Sequence, residues 1–128
     1  MIVLDASVLV DLLLDTPPRA DTVRARITTE GGLHAPHLVD AEVGQALRRE
    51  IRRGALTMAR VLGALMDLAG LGIERHPHLP HLPRALELRE NLTVYDGLYV
   101  ALAEAFEAPL LTRDRAVAEA AGPYGELI

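Results

Sequence analysis

Apolar and polar residues change along this chain in short blocks, and the spacing within each block assigns most of the elements. Ile2-Val3-Leu4 is a fully apolar run ending in Asp5, the pattern of a strand covered on both faces in a parallel sheet. A helix is predicted from about Ser7 and is stopped by Thr16-Pro17-Pro18; a second runs from Arg19 to about Thr29 and is closed by Gly31-Gly32. Leu33-His34-Ala35 reads as a second short strand. Pro36 to Arg53 is the longest helical candidate, with Val39, Val43, Ala46 and Leu47 at helical spacing and Gly54 as a C-terminal stop. Thr57 is the expected cap of the next helix, whose core face would be Val61, Leu62, Leu65 and Leu68.

Leu71 to Glu74 predicts a third strand, followed by an irregular proline-rich stretch from Arg75 to His81 and a helix from about Pro83 to Glu90. Thr93 is placed to cap a helix in which Tyr95, Leu98, Tyr99, Leu102 and Phe106 form one apolar stripe, ended by Pro109. Leu110-Leu111-Thr112 repeats the form of the first strand, Asp114 opens an alanine-rich helix, and Glu126-Leu127-Ile128 predicts a last edge strand. Strands separated by helices predict an α/β sandwich with a parallel sheet. With no internal repeat, low-complexity tract or linker, residues 1–128 are expected to form a single domain.

Composition narrows the chemistry. The chain has no cysteine, which excludes disulfides, thiolate zinc sites, iron–sulfur clusters and cysteine nucleophiles. All 13 basic residues are arginine, so chemistry that needs a lysine ammonium, such as a P-loop or a Schiff base, is excluded in its usual form. Asp5, Asp11 and Asp15 interrupt the apolar start and no basic region precedes it, so neither a signal peptide nor a membrane span is expected, and a cytoplasmic protein is. The net charge of −5 speaks against attachment to nucleic acid by bulk electrostatics alone.

In open α/β sheets, sites form at the carboxyl ends of the strands, where loops and helix N-termini converge. Asp5 and Asp114 fall at strand ends, and Glu42 and Asp96 near helix starts, so four acids from four segments are expected around one cavity. Like charges so close require a cation, and oxygen ligands without cysteine favour Mg²⁺ or Mn²⁺, one or two ions, with phosphodiester hydrolysis as the associated chemistry. Each acid also has a bland role: Asp5 and Asp114 as helix caps, Asp96 as a partner of a helix dipole, Glu42 as a helix-surface glutamate. Periodicity does not separate Glu42 from Asp40, because the two flank the buried stripe on opposite sides.

Four segments in this order resemble the PIN domain family, and in length and order its VapC-type toxin ribonucleases. They are Ile2-Val3-Leu4-Asp5-Ala6-Ser7; Val39-Asp40-Ala41-Glu42-Val43 running into Leu47-Arg48-Arg49; Tyr95-Asp96-Gly97-Leu98-Tyr99-Val100-Ala101-Leu102-Ala103; and Leu110-Leu111-Thr112-Arg113-Asp114. The resemblance covers essentially the whole chain. It implies a three-layer α/β/α sandwich with a central, mainly parallel sheet and a Mg²⁺- or Mn²⁺-dependent endoribonuclease. It also implies Asp5, Glu42, Asp96 and Asp114 as catalytic and metal-binding acids, with Ser7 and Thr112 as supporting hydroxyls, which sets Asp40 aside. Gly97 stands where the family often has alanine, and Gln45 where asparagine is frequent. The implied partners are RNA, a homodimer mate and a small VapB-type antitoxin that blocks the site; Leu9, Leu12 and Leu13 on the first helix are a reasonable docking place for it.

Arg48, Arg49, Arg113 and Arg115 are candidate phosphate contacts, since a guanidinium fork gives a phosphate two parallel hydrogen bonds, although arginines near a helix C-terminus also complement its dipole. His76, His78 and His81 crowd the proline-rich stretch, but Pro77 and Pro80 should hold it too stiff to wrap one ion; His34 and His37 bracket Pro36 nearer the rim, where His37 is expected in a loop or capping role, with proton transfer as the alternative. The expected function is therefore a toxin endoribonuclease. The alternatives are a catalytically silent binding module of the same fold, a housekeeping RNA-processing nuclease, and a phosphohydrolase, against which Ser7 counts by standing where a second acid of a D-x-D strand end would be.

Overall fold

The computed structural model describes residues 1–128. Its strands are β1 (Ile2–Leu4), β2 (Leu33–Pro36), β3 (Glu74–His76), β4 (Leu110–Thr112) and β5 (Gly125–Leu127). Its helices are α1 (Ala6–Leu13), α2 (Arg19–Thr28), α3 (Val39–Arg52), α4 (Met58–Gly70), α5 (Leu82–Glu87), α6 (Val94–Phe106) and α7 (Arg115–Ala120). The strands form one sheet in the order β3-β2-β1-β4-β5, every pairing parallel. No helix is long and apolar enough to cross a membrane.

This order fixes the layers. From β1 the chain steps to β2 and β3 in one direction, then crosses back to β4 and β5 in the other. Right-handed crossovers in opposite directions put their helices on opposite faces, so α1 to α4 cover one face and α5 to α7 the other. The packing agrees: α1 contacts α2, α3 and α4, whereas α6 contacts α5 and α7. The result is the expected three-layer α/β/α sandwich. β1 and β4 are fully buried, and Ile2, Leu4, Leu110 and Leu111 sit at the centre of the core. The reversal of strand order lies between β1 and β4, the place where this class of sheet opens a crevice at the strands' carboxyl ends.

Several expectations are corrected. Pro36 ends β2 rather than opening a helix, and α3 begins only at Val39, because His37 N–H still bonds the His76 carbonyl across the sheet. The third strand starts at Glu74, since Leu71 still caps α4 and Gly72, at φ +71°, turns the chain before Ile73 becomes buried. The proline-rich stretch therefore begins with an edge strand and then makes a single 3₁₀ turn at Leu79–His81. Leu62 and Leu65 lie on the outer side of α4, 52% and 37% exposed, while Val61, Ala64 and Leu68 face the core. Tyr95 is also outside the α6 stripe, at 65% exposure.

From Gly97 to Ala103 α6 is buried all round, the signature of a helix enclosed between a sheet and another helix. Gly97 permits this. A Cβ there would stand 3.1 Å from the backbone and side chain of Ala85 on α5, so the missing side chain brings the two helices together rather than loosening the helix start. Arg84 on α5 ties the pair further, with both guanidinium contacts to Glu104 on α6 at 2.8 and 3.1 Å.

Candidate active site

At the reversal point the chain opens a cavity of about 570 Å³ lined by Asp5, Ser7, Glu42, Asp96 and Asp114, among others. Each acid arrives by a different local route. Asp5 follows β1 and occupies the N-cap position of α1, yet its side chain makes no capping bond, so the bland reading fails for it. The carboxylate is turned instead toward the crevice: Oδ2 accepts from the Thr112 hydroxyl at 2.6 Å and the Ser7 hydroxyl at 3.1 Å. Glu42 lies in the first turn of α3 and accepts a 2.7 Å hydrogen bond from the Tyr99 hydroxyl of α6. Asp96 lies in the first turn of α6, whose cap Thr93 accepts from the Asp96 N–H. Asp114 does cap α7, through Oδ1, and it also lines the cavity.

Asp40 and Glu42 differ in their partners and in where they point. Asp40 points to the sheet edge, where Arg75 of β3 holds it with two bonds of 2.7 and 2.8 Å. Glu42, two residues further along α3, lines the cavity.

None of the salt bridges in the chain uses Asp5, Glu42, Asp96 or Asp114. In a protein rich in arginine, that leaves their mutual repulsion without a direct ion pair to offset it. Burial is the first cause that pushes the Asp5, Glu42 and Asp96 carboxyls above their ordinary range. For Asp5 the hydroxyls of Thr112 and Ser7 pull in the opposite direction without cancelling it, and the neighbouring Asp114 charge adds to the rise. Asp5 also raises both Glu42 and Asp96, so the acids sense one another across the cavity.

The hydroxyls form a relay beneath the acids. Thr112 is fully buried, donates to Asp5 and accepts from the Asp114 N–H at 3.0 Å; Ser7 accepts from the Arg113 N–H at 3.2 Å. They lock the ends of β1 and β4 together. Tyr99, also fully buried, is a contributor that sequence reasoning placed only in the core stripe. Its signal was present, because a buried tyrosine needs a partner for its hydroxyl.

Of the arginines proposed for phosphate, Arg49 and Arg113 line the cavity, whereas Arg48 and Arg115 are exposed outside it. Arg113 is tethered to buried Asp11 at 3.1 Å. Arg19, at the start of α2, and Glu50 also reach the cavity and were not singled out from the sequence. The expected docking place on α1 is mostly interior, with Leu9 and Leu13 buried in the core; four of the large exposed apolar side chains share α4 instead, at Met58, Leu62, Leu65 and Met66.

A PIN domain family model matches residues 2–123. Ribonuclease VapC1 of Mycobacterium tuberculosis is 43% identical over 121 residues, covering 94% of this chain and 90% of the relative. Ribonuclease VapC12 of the same species is 40% identical over 127 residues, covering 99% and 97%. Among solved structures, the crystal structure of PAE2754 from Pyrobaculum aerophilum superposes with a TM-score of 0.73 at 26% identity, covering 93% of this chain and 83% of that one.

Proposed function

This chain belongs to the PIN domain family and to the VapC ribonucleases within it, and from that premise we propose a divalent-metal-dependent endoribonuclease, the toxin of a toxin–antitoxin pair. The observation that carries the proposal is the convergence of Asp5, Glu42, Asp96 and Asp114, none in an ion pair, on one cavity at the strand-order reversal.

The donor set fits a hard cation of the Mg²⁺ or Mn²⁺ class, because it consists of carboxylate and hydroxyl oxygens only. No three of these acids bring a ligand atom each within 4.8 Å of one another, so they form no closed protein cage. That spacing suits Mg²⁺, which keeps several waters and takes only one or two carboxylates. The charged lining, Asp5, Glu42, Glu50, Asp96 and Asp114 against Arg19, Arg49 and Arg113, has a formal charge of −2, which one divalent ion neutralises. Bound there, the ion supplies activation of water and charge neutralisation at the phosphoryl group.

The protein's own share is positioning. Asp5, Glu42, Asp96 and Asp114 would hold the ion, one or two of them directly; a carboxylate not so engaged would orient the attacking water and take its proton as the new phosphorus–oxygen bond forms, and the leaving oxygen would depart with a proton from solvent as the ester bond breaks. Thr112 and Ser7 fix the Asp5 carboxylate, and Tyr99 fixes Glu42. Arg19 and Arg49 reach the cavity without an intramolecular ion pair and are free to meet RNA phosphates, with Arg113 beside them. A VapB-type antitoxin, a homodimer mate and residence in the cytoplasm complete the reading, carried by the likeness to the VapC ribonucleases.

The test is cleavage of total cellular RNA by the wild-type protein beside Asp5→Asn, with Mg²⁺, with Mn²⁺ and with excess chelator. Discrete fragments that require both the metal and Asp5 are expected. Equal cleavage by the two proteins, or cleavage in chelator, would overturn the assignment, and silence from folded protein with every metal would favour a binding module.

A further inference from the structure

All the histidines of this chain, His34, His37, His76, His78 and His81, gather at the β2–β3 side of the sheet, and none of them lines the acidic cavity. Parallel register places His34 opposite Glu74, and Pro36 opposite His76. Because residues two apart share a face, His34, Glu74 and His76 project to the same side of the two outer strands. Their ligand atoms lie within 4.8 Å of one another. His34 Nδ1 is 3.0 Å from His76 Nε2 and 3.6 Å from the Glu74 carboxylate.

These separations have a specific meaning. Two donors each about 2.0–2.1 Å from a tetrahedral zinc ion stand roughly 3.3 Å apart. The two pairs that involve His34 bracket that value, and the third, His76 with Glu74, lies within 4.8 Å, closed by a swing of the exposed Glu74 side chain. We propose that His34, Glu74 and His76 form a second metal site, of the zinc class and separate from the acidic cavity, with two imidazoles and one carboxylate as ligands and a fourth position open to solvent. The donor chemistry divides the two sites. Oxygen-only acids select Mg²⁺ or Mn²⁺, whereas two imidazoles with one carboxylate is a set zinc takes.

The surroundings hold the site in shape. Phe106, at the end of α6, meets both rings edge-on, with centroids 5.4 Å from His34 and 4.8 Å from His76. His34 is buried, at 7% exposure, so its ring has little freedom, while Glu74 is exposed and can swing its carboxylate inward. His78 is committed elsewhere, since its Nε2 accepts from the Leu38 N–H at 2.9 Å, and the group whose ligand atoms meet within 4.8 Å has three members. A bound ion would staple the edge strand β3 to β2, whose end leads into α3. The proline-rich stretch does not wrap the ion by itself: the second imidazole comes from a strand some forty residues earlier.

The experiment uses the full chain carrying Asp5→Asn and Asp96→Asn, which silences the acidic cavity and leaves the histidines untouched. Zn²⁺ and Co²⁺ are titrated by calorimetry and by visible absorption, with Mg²⁺ in excess throughout. One tight equivalent is expected, with the intense cobalt band of a four-coordinate site, and a rise in thermal midpoint with Zn²⁺. Losing a side chain that touches the ion should cost more than losing one that only supports a ligand, so His76→Gln should weaken Zn²⁺ binding by more than about tenfold. Glu74→Gln, at an exposed position where folding is not at risk, should weaken it in the same direction and broaden the cobalt band. Absence of binding to the cavity-silenced chain, or unchanged binding in both His76→Gln and Glu74→Gln with native circular dichroism, would overturn the proposal. RNA cleavage does not enter the readout, so this test stands apart from that of the nuclease.

Discussion

Replacing Thr112 by valine removes a hydroxyl and leaves the shape of the side chain almost unchanged. The hydroxyl is fully buried, donates to Asp5 at 2.6 Å and accepts from the Asp114 N–H at 3.0 Å. A hydrogen bond to a charged group contributes about 1.5–3 kcal/mol and a neutral one about 0.5–1.5 kcal/mol, so Thr112→Val should cost roughly 2–4 kcal/mol at neutral pH. The larger part depends on Asp5 being ionised, which gives the loss a pH signature. Asp5 titrates higher in the folded chain than in the unfolded one, so its contribution to stability is fully present below the unfolded value of about 3.9 and is lost as pH rises through the folded value. Thr112 restrains that loss by favouring the carboxylate; valine does not. The gap between wild type and Thr112→Val should therefore be small in acid and widen toward neutrality. Urea denaturation from pH 4 to pH 8 in chelator measures it, with Thr112→Ser as the control that keeps the hydroxyl and gives up a methyl group, worth about 1 kcal/mol. Equal destabilisation by valine and serine, independent of pH, would refute the claim that the hydroxyl holds a charged Asp5.

The same cavity supports further expectations. Asp96→Asn should abolish RNA cleavage yet raise the thermal midpoint of the metal-free protein at neutral pH. The raised Asp96 carboxyl costs stability once pH passes its folded value, and the half-buried position limits the gain to about 1 kcal/mol or less; a lower midpoint at pH 7 would contradict this. Glu42→Gln should remove cleavage while Asp40→Asn leaves it unchanged, because Asp40 is occupied by Arg75 at the sheet edge; steady-state rates on one RNA decide between them. Tyr99→Phe deletes the 2.7 Å bond to Glu42 and should cost about 1.5–3 kcal/mol of stability in denaturant titration. It should lower kcat more than it raises KM, since the hydroxyl orients a carboxylate rather than the RNA. Arg49→Ala should weaken RNA binding and reduce the slope of log affinity against log salt by about one, read in filter binding across a salt series with a cavity-silenced protein. Arg113→Ala is a poorer probe: Asp11 Oδ2 already lacks a partner, and removing the guanidinium leaves the whole buried carboxylate unpaired.

The elements that pack by local pattern alone were legible. β1, β4 and the caps at Thr57 and Thr93 need only a few consecutive residues to declare themselves, and the structure places them there. The failures share a cause in tertiary context. β3 carries polar residues because it is an edge strand, so hydrophobicity could not mark its start; its place is set by Gly72 and by pairing with β2. Leu62 and Leu65 fit a helical stripe as well as Val61 and Ala64 do, and only the position of α1 against α4 decides which side is covered.

The acids were legible for a different reason. An aspartate after an apolar strand and one in a first helical turn are conspicuous wherever the other segments lie, and the strand-order reversal at β1 and β4 then forces Asp5 and Asp114 to the same crevice. What a single stretch of sequence cannot carry is the identity of the second partner. Tyr99 is 57 residues from Glu42, Thr112 is 107 from Asp5, and His76 is 42 from His34. Each partner looks like core filler or loop in its own segment and acquires a role only through register. Asp40 and Glu42 make the point most sharply. Two residues apart on one helix, they differ in fate because β3 delivers Arg75 to one and α6 delivers a tyrosine hydroxyl to the other. Asp40 is neutralised by its arginine, whereas Glu42, held by a neutral hydroxyl, has no cationic partner within the chain, as the proposed metal site requires. The assignment of chemistry within this cavity therefore follows from which carboxylates the arginines leave alone.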